Sequence, residues 1–359
     1  MQDPNDIRPA FSAWLRARIP EATDLRVGAL RKPGAGESSD TQLCEIEIER
    51  GASLERIDAV LRCAPREEGP FPEYDLGLQA HVMRVLGLSG AVPVPEVLWL
   101  EEDESAIGVP FLVMRQVAGD APLDRPAYQA EGFYHDGSRA LREHVWAGTI
   151  DALAKLHALD WREIGGGVVP GSRPGEDPSR AALDYWLAYL RDFLKESPDE
   201  SVDVFDQAAE YLVAERPEPT RLALCWGDAK LGNVLYAPGN RDVAAVIDWE
   251  MATIGDPEAD LASLHLSDLR AQDLAGGACS GTPDAAELIA LYERASGHRV
   301  EHFHYNLVFA TFWRGAVQIA VMRQYRRRGI AIDDAMFHDN FPMNQLRKLL
   351  GLSRSTAGR

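Results

Sequence analysis

Residues 222–250 read LALCWGDAKLGNVLYAPGNRDVAAVIDWE. Three short apolar runs with strand composition divide this segment: Leu222–Cys225, Val234–Tyr236 and Val243–Ile247. The polar loop with Asp228 and Asn233 therefore leaves one strand and enters the next, and Asp248 ends the third strand. This order of elements predicts that the two carboxylates and the amide face one cavity.

The pattern is typical of phosphoryl transfer. That reaction needs a carboxylate to orient the attacking hydroxyl, oxygen ligands for Mg²⁺ and cations around the transferring group. Kinase-type sites place the carboxylate and an asparagine at the spacing D-x-x-x-x-N, and a metal-binding aspartate follows a later strand. Asp228, Asn233 and Asp248 occupy those positions. The spacing alone is a weak signal, because turn residues and loop caps have the same composition. The full order of strands and loops carries the prediction.

Composition and charge restrict the class of protein. The 359 residues include 37 Lys and Arg against 56 Asp and Glu, for a formal net charge of −19. Proteins that bind a nucleic-acid backbone are normally basic, so this class is disfavoured. The four cysteines are too few for a disulfide scaffold. No stretch approaches the roughly 18 apolar residues of a membrane span, and the N-terminus lacks a signal-peptide pattern. We expect a cytoplasmic globular protein without nucleic-acid or membrane partners, and the sequence indicates no oligomeric state.

The chain divides into a strand-rich part and a helical part. The first part has predicted strands at Leu25–Leu30, Gln42–Glu49, Ala59–Cys63, Val97–Glu101 and Pro110–Gln116, and a helix at Leu76–Leu88. The second part has predicted helices at Ala140–Leu159, Arg180–Leu194, Val204–Ala214, 284–296 and 301–326. We therefore expect a helical N-terminal extension at 1–24, a small α+β lobe at 25–117 and a larger, mostly helical lobe at 118–359.

The sequence resembles the aminoglycoside phosphotransferase family of small-molecule kinases, which share the protein-kinase fold. The segments that carry the resemblance are WGDAKLGNVLY at 226–236 and IDWEMATIGDPEADLA at 247–262. Within that family, PVPEV at 93–97 and GVPFLVM at 108–114 are similar to the kinase domains fused to acyl-CoA dehydrogenases. The resemblance extends from about Leu25 to the C-terminus. It implies a bilobal α+β fold, in which the N-lobe has an antiparallel sheet and one helix and binds the nucleotide.

The resemblance also implies roles for the central residues. Asp228 would be the catalytic base, and Asn233 and Asp248 would be the Mg²⁺ ligands. Lys230 lies two positions after the base, where a cation would neutralise charge on the transferring phosphoryl group. The alternative for Lys230 is a solvated surface side chain.

Three further residues of these segments are expected to be structural. Asp256 and Asp260 match the G-D-P-x-x-D-L part of the family pattern, which implies a helix N-cap and a brace for the catalytic loop. Trp226 stands where many relatives carry a histidine before Gly-Asp. That histidine is usually a bracing group, so the change is expected to be tolerated.

The nucleotide side departs from the family pattern. The turn at 34–41 resembles the family's phosphate loop, which implies backbone contacts from Gly36, Ser38 and Ser39. Arg62 replaces the usual phosphate-pairing lysine, and Gln79 replaces its glutamate partner. Arginine keeps the charge and can fork onto phosphate oxygens, while glutamine can accept its hydrogen bond. The alternative for the turn at 34–41 is an ordinary hairpin turn, and the alternative for Arg62 is a surface side chain.

The resemblance implies that the junction between the two lobes contacts the adenine of the nucleotide. Met114 would flank the pocket, and backbone groups of Arg115 and Val117 would pair with the base.

The sequence therefore predicts an ATP- and Mg²⁺-dependent kinase that acts on a hydroxyl of a small molecule. Two classes of acceptor compete. An aminoglycoside would suit an acidic cleft. A hydroxyacyl-CoA would require a basic rim such as Arg323 and Arg326–Arg328, although cations at a helix end are also routine. A nucleotide-binding pseudokinase with a regulatory role is the alternative from another class, because Arg62, Gln79 and Trp226 depart from the pattern.

Overall fold

The computed structural model describes residues 7–33, 40–66, 69, 71–72, 74–194, 203–337 and 339–352. The first part of the chain forms a five-stranded antiparallel sheet with the order β1-β2-β3-β5-β4. Its strands are β1 (Asp24–Val27), β2 (Asp40–Arg50), β3 (Ser53–Cys63), β4 (Val97–Glu101) and β5 (Phe111–Arg115). The helices α1 (Arg8–Arg18) and α2 (Leu76–Ser89) cover its two faces.

Side chains alternate between the two faces of this sheet. Leu61 and Val113 join the core on which α1 packs, whereas Val60 and Leu112 contact the core that contains α2. The N-cap of α2 is Asp75, whose carboxylate accepts a hydrogen bond from the Leu78 amide at 2.7 Å. The sheet therefore presents one face, with α2 on it, towards the rest of the molecule.

The second part of the chain is mostly helical. Its helices are α3 (Phe133–Asp136), α4 (Arg139–His157), α5 (Trp161–Gly165), α6 (Ala181–Ala188), α7 (Asp203–Ala214), α8 (Glu258–Ala275), α9 (Ala285–Ser296), α10 (Phe303–Arg327) and α11 (Phe341–Leu349). Helix α6 continues into a π-helical turn, Tyr189–Leu194, and 3₁₀ turns occur at Leu231–Asn233 and Asp334–Phe337. None of the helices in the described ranges is long and apolar enough to cross a membrane.

Two small antiparallel pairs lie among these helices. The four strands are β6 (Ala223–Cys225), β7 (Val234–Tyr236), β8 (Val243–Val246) and β9 (Thr253–Gly255), and they pair as β6 with β9 and β7 with β8. The loop between β6 and β7 packs its apolar residues, Ala229 and Leu231, into the same core as α2, α4 and α8. This core places the loop between the sheet and the helical part. The architecture is the predicted α+β class.

Candidate active site

A glycine and an aspartate fix the path of the loop after β6. Gly227 has φ +89°, and a Cβ on it would lie 2.1 Å from the Met251 carbonyl oxygen, so other residues cannot fit without a backbone shift. Asp260 of α8 accepts hydrogen bonds from the backbone amides of Trp226 and Gly227, at 2.6 Å and 2.8 Å. The prediction that Asp260 braces this loop is confirmed.

The brace continues into the helical core. His157 lies 3.1 Å from the Asp260 carboxylate through Nε2 and 2.7 Å from the Tyr292 hydroxyl through Nδ1. His157, Cys225 and Asp260 offer possible ligand atoms within 4.8 Å of one another. The Cys225 thiol donates to the Asp256 carbonyl at 3.4 Å, and burial raises its pKa well above the ordinary value. These groups already have partners, so we interpret the cluster as part of the brace.

Trp226 and Asp256 secure the two ends of the segment. Trp226 donates its indole N–H to the Ile247 carbonyl at 2.9 Å, which ties the loop to the end of β8. The residue in the N-cap position of α8 is Pro257 rather than the predicted Asp256. Asp256 nevertheless accepts from the Glu258 amide at 2.9 Å, so it still satisfies a donor in the first turn.

Cationic side chains approach both carboxylate oxygens of Asp228. Arg314 of α10 lies 2.7 Å from Oδ1, and Lys230 lies 3.4 Å from Oδ2. Oδ2 also accepts a hydrogen bond from the side-chain amide of Asn233 at 3.0 Å. Burial alone would raise the pKa of Asp228, but Lys230 and Arg314 outweigh it and lower the pKa to about 2. Asp228 is therefore an ionised carboxylate in a largely buried position.

Lys230 is held by carboxylates and is not extended into solvent. Its side chain is 20% exposed and lies 3.2 Å from Asp124 as well as near Asp228. Burial would lower the pKa of Lys230, but the Asp228 and Asp124 charges raise it above the ordinary value. The ammonium group therefore stays charged next to the proposed base.

Arg314 is a further residue of this site, and the sequence alone does not predict it. Its Nη2 donates to the Ser263 hydroxyl at 2.7 Å and to the Ala229 carbonyl at 3.3 Å, in addition to the Asp228 ion pair. Its guanidinium also lies 4.6 Å from the ring centroid of Trp313. It comes from the middle of α10, where no local motif marks a functional position.

Asn233 and Asp248 are brought together by the pairing of β7 with β8. The Ile247 amide donates to the Asn233 carbonyl at 3.0 Å, so the residue after Ile247 begins next to Asn233. Asp248 has φ +65°. An aspartate tolerates this left-handed conformation at some cost, and such residues cluster at functional sites.

Arg62 contacts residues 247–250, the proposed catalytic segment. Its Nη2 lies 2.9 Å from Asp248 Oδ1 and donates to Glu250 Oε2 at 2.7 Å. Burial and the Asp248 charge raise the pKa of Glu250, while Arg62 opposes that shift. The expected hydrogen bond from Arg62 to Gln79 is wrong. Two carboxylates attract a guanidinium more strongly than a neutral amide does, and the Arg62 contacts in the described part of the chain are to Glu250 and Asp248.

The residues predicted to bind the nucleotide have different outcomes in the structure. Gly36, Ser38 and Ser39 lie outside the described residues. Met114 is buried in the core that joins α2 to the helical part. The Arg115 amide already donates to the Glu96 carbonyl at 2.8 Å, so this group is not open to a nucleotide. No described group accepts from the Val117 amide, and the role of Val117 stays a prediction.

Comparison with known proteins identifies the family. The model of the phosphotransferase enzyme family matches residues 35–302. The chain belongs to this family. A probable acyl-CoA dehydrogenase of Arabidopsis thaliana, IBR3, is 28% identical over 232 residues, which are 64% of this chain and 27% of that protein. The matched region is thus about a quarter of that relative's length.

Two solved structures show the kinase-like fold of this phosphotransferase. A putative aminoglycoside phosphotransferase from Ralstonia eutropha superposes with a TM-score of 0.63 at 22% identity and covers 95% of both chains. A thermostable mutant of an aminoglycoside phosphotransferase, in ternary complex with AMP-PNP and hygromycin B, gives a TM-score of 0.58 at 16% identity and covers 98% and 99% of the two chains.

Several buried polar atoms of the phosphotransferase fit a nucleotide and a metal. Arg62 Nε and Gln79 Nε2 are donors, and Asp228 Oδ1 and Asp248 Oδ1 are acceptors; all four lack a hydrogen bond to described residues. The two oxygens do lie near arginine nitrogens, but those ion pairs are not aligned as hydrogen bonds. Donors suit phosphate oxygens, and carboxylate oxygens suit Mg²⁺.

The basic cluster lies at the end of α10. The helix ends at Arg327, and Arg328 is its C-cap residue. Arg323 is buried, and the guanidinium of Arg326 lies 4.1 Å from the ring centroid of Phe337. This position agrees with favourable cations at a helix C-terminus and leaves their role as a substrate rim a prediction.

Proposed function

We propose that this phosphotransferase transfers the γ-phosphoryl group of ATP, with Mg²⁺, to a hydroxyl of a small molecule. The observation that carries the proposal is the grouping of Asp228, Asn233 and Asp248 with the cations Arg62 and Lys230. These are the parts that phosphoryl transfer requires from a protein. Because Asp228, Asn233 and Asp248 are all present, a pseudokinase is disfavoured.

Asp228 orients the acceptor hydroxyl by accepting its hydrogen bond. A carboxylate with a pKa of about 2 is a weak base, so it takes the proton only as the bond to phosphorus forms. Arg62 and Lys230 supply positive charge to the phosphate oxygens. Mg²⁺, when bound by Asn233 and Asp248, would neutralise charge on the phosphate chain.

The favoured acceptor is a hydroxyacyl-CoA. Arg314 and Lys230 flank Asp228, so cations offset the negative charge next to the acceptor hydroxyl. The part of α10 from Arg314 to Arg327 spans about 20 Å. An extended CoA thioester could therefore place its hydroxyl at Asp228 and its phosphates at the arginine cluster. The Arabidopsis relative, named as a probable acyl-CoA dehydrogenase, supports this class.

An aminoglycoside is the second candidate. The net charge of −19 would favour a cationic ligand over long distances. The structural neighbour that holds hygromycin B supports this class too. Turnover of ATP with matched panels of hydroxyacyl-CoA thioesters and aminoglycosides distinguishes the two.

The decisive variant is Asp228→Asn. On the true acceptor it should lower kcat by about 10²–10⁴, while the affinity for nucleotide is retained. Asp242→Asn is the matched control, because this carboxylate is exposed and pairs with His144 outside the site. Transfer by Asp228→Asn at a rate close to that of the control would reject the assignment. Nucleotide binding without turnover on either panel would favour the pseudokinase.

A further inference from the structure

One guanidinium nitrogen of Arg62 is shared by two carboxylates. Nη2 lies 2.9 Å from Asp248 and 2.7 Å from Glu250, and the side chains of all three residues are at most 16% exposed. Both carboxylates follow β8 in the catalytic segment, so Arg62 connects the sheet to that segment. Its Nε is buried without a hydrogen bond to any described residue.

No acidic residue of α2 contacts Arg62 in the described structure. Arg62 lies two positions after Val60 on β3, so its side chain leaves the sheet on the α2 face. Gln79 is the residue of α2 in the position where a carboxylate partner was expected, and it is neutral and 1% exposed. The charge that holds Arg62 therefore comes from the catalytic segment.

Asp248 cannot hold both Arg62 and a metal ion with the same oxygen. The ion pair with Arg62 uses Asp248 Oδ1, which is one of the oxygens suited to Mg²⁺. Glu250 makes a separate hydrogen bond to the same nitrogen. That contact can persist when Asp248 turns to the metal.

We infer that Glu250 is a positioning residue that holds Arg62 in place for the nucleotide phosphates. Glu250 is thus the carboxylate partner of Arg62, in place of an acidic residue of α2. Because Nη2 donates to Glu250, Nε and Nη1 can bind two phosphate oxygens in a bidentate contact. The inference rests on the proposed function, because it assumes that Arg62 meets phosphate.

The test measures nucleotide affinity and not turnover. A fluorescent ATP analogue is titrated in EDTA, where Asp248 has no metal to bind, and again with Mg²⁺. Glu250→Leu should weaken binding with Mg²⁺ by roughly tenfold or more, because the charge-assisted hydrogen bond that orders Arg62 is lost. It should weaken metal-free binding less, because Asp248 Oδ1 still lies 2.9 Å from Arg62. Glu250→Gln keeps an acceptor oxygen and should lose less. Glu47→Leu is the matched control, since it removes a carboxylate 2.9 Å from Arg56 on the same sheet.

A double-mutant cycle with Arg62→Met decides whether Glu250 acts through Arg62. If it does, Glu250→Leu should have little further effect on affinity in the Arg62→Met background. Thermal melting confirms that each variant is folded. The inference is overturned if Glu250→Leu binds the analogue with Mg²⁺ within about twofold of the control, or if its loss of affinity is equally large without Arg62. A wild-type protein that binds no nucleotide would instead refute the proposed function.

Discussion

Asp228 is held by residues that are far apart in the sequence. Lys230 and Asn233 come from its own loop, whereas Arg314 comes from α10 and Ser263 joins the same network from α8. Because the carboxylate is largely buried, each of these contacts limits its orientation. The geometry of the hydroxyl acceptor site therefore depends on the docking of α10 as much as on the loop motif.

Replacement of Arg314 tests this dependence. Arg314→Gln should lower kcat by on the order of 10- to 100-fold, because Asp228 loses the cation that orients Oδ1. Arg314→Lys should be less severe, since it keeps the charge but not the contacts to both Ser263 and Asp228. The nucleotide affinity should change little in either variant. Equal kcat values in wild type and Arg314→Gln would show that α10 only packs against the loop.

Replacement of Asp248 tests the metal assignment. Asp248→Ala should abolish the increase in nucleotide affinity that Mg²⁺ produces, because a carboxylate ligand is removed. Metal-free binding should be reduced much less, since Glu250 still contacts Arg62 at 2.7 Å. Titrations with and without Mg²⁺ measure both effects. An undiminished Mg²⁺ effect would place the metal at other residues.

Local spacing predicted the central residues of the site but not their partners. Asp228 follows β6, Asn233 precedes β7 and Asp248 follows β8, so their meeting is a consequence of short-range order. The contacts of Arg314 with Asp228 and of Arg62 with Glu250 join residues that only the tertiary fold brings together. No pattern within one segment marks them.

Short strands bounded by turns were predicted well, whereas one long strand and one buried helix were not. Strands β4 and β7 have the expected bounds. Strand β3 begins at Ser53 and not at Ala59, because its first half lies in a largely exposed hairpin and half of the residues there are charged. For helix α8 the sequence predicted only an N-cap, Asp256. Its first three turns are buried almost all round, so it shows no polar stripe to indicate a helix.

The face of α2 that covers the sheet offers a test at the scale of elements. Gln79→Glu in the Glu250→Leu background should recover at least about half of the lost binding free energy, because α2 would then supply the carboxylate for Arg62. In the Arg62→Met background the same buried carboxylate has no partner and should lower the melting temperature. A folded Gln79→Glu/Glu250→Leu variant without any recovery of affinity would show that α2 cannot take over this pair.

The charge of the whole molecule is unevenly distributed. Acidic residues outnumber basic ones by 56 to 37, yet the end of α10 has arginines at three consecutive positions, 326–328. A molecule of this net charge repels anions at long range, so an anionic acceptor requires a local cluster of cations to overcome that repulsion. The cluster at the end of α10 is the feature that separates the two candidate acceptors.

Neutralisation of Arg326, Arg327 and Arg328 to glutamine tests the acceptor class. With a hydroxyacyl-CoA, KM should rise by roughly tenfold while kcat changes little, because the arginines would bind the CoA phosphates equally in the ground and transition states. The effect should shrink as salt increases, since exposed charges are screened. With an aminoglycoside the same variant should bind equally well or slightly better, because cationic repulsion is reduced. Arg191→Gln, which removes an exposed arginine paired with Asp192, is the control for lost charge alone. Hydroxyacyl-CoA kinetics in the triple variant that match this control at low salt would exclude the cluster from the acceptor site.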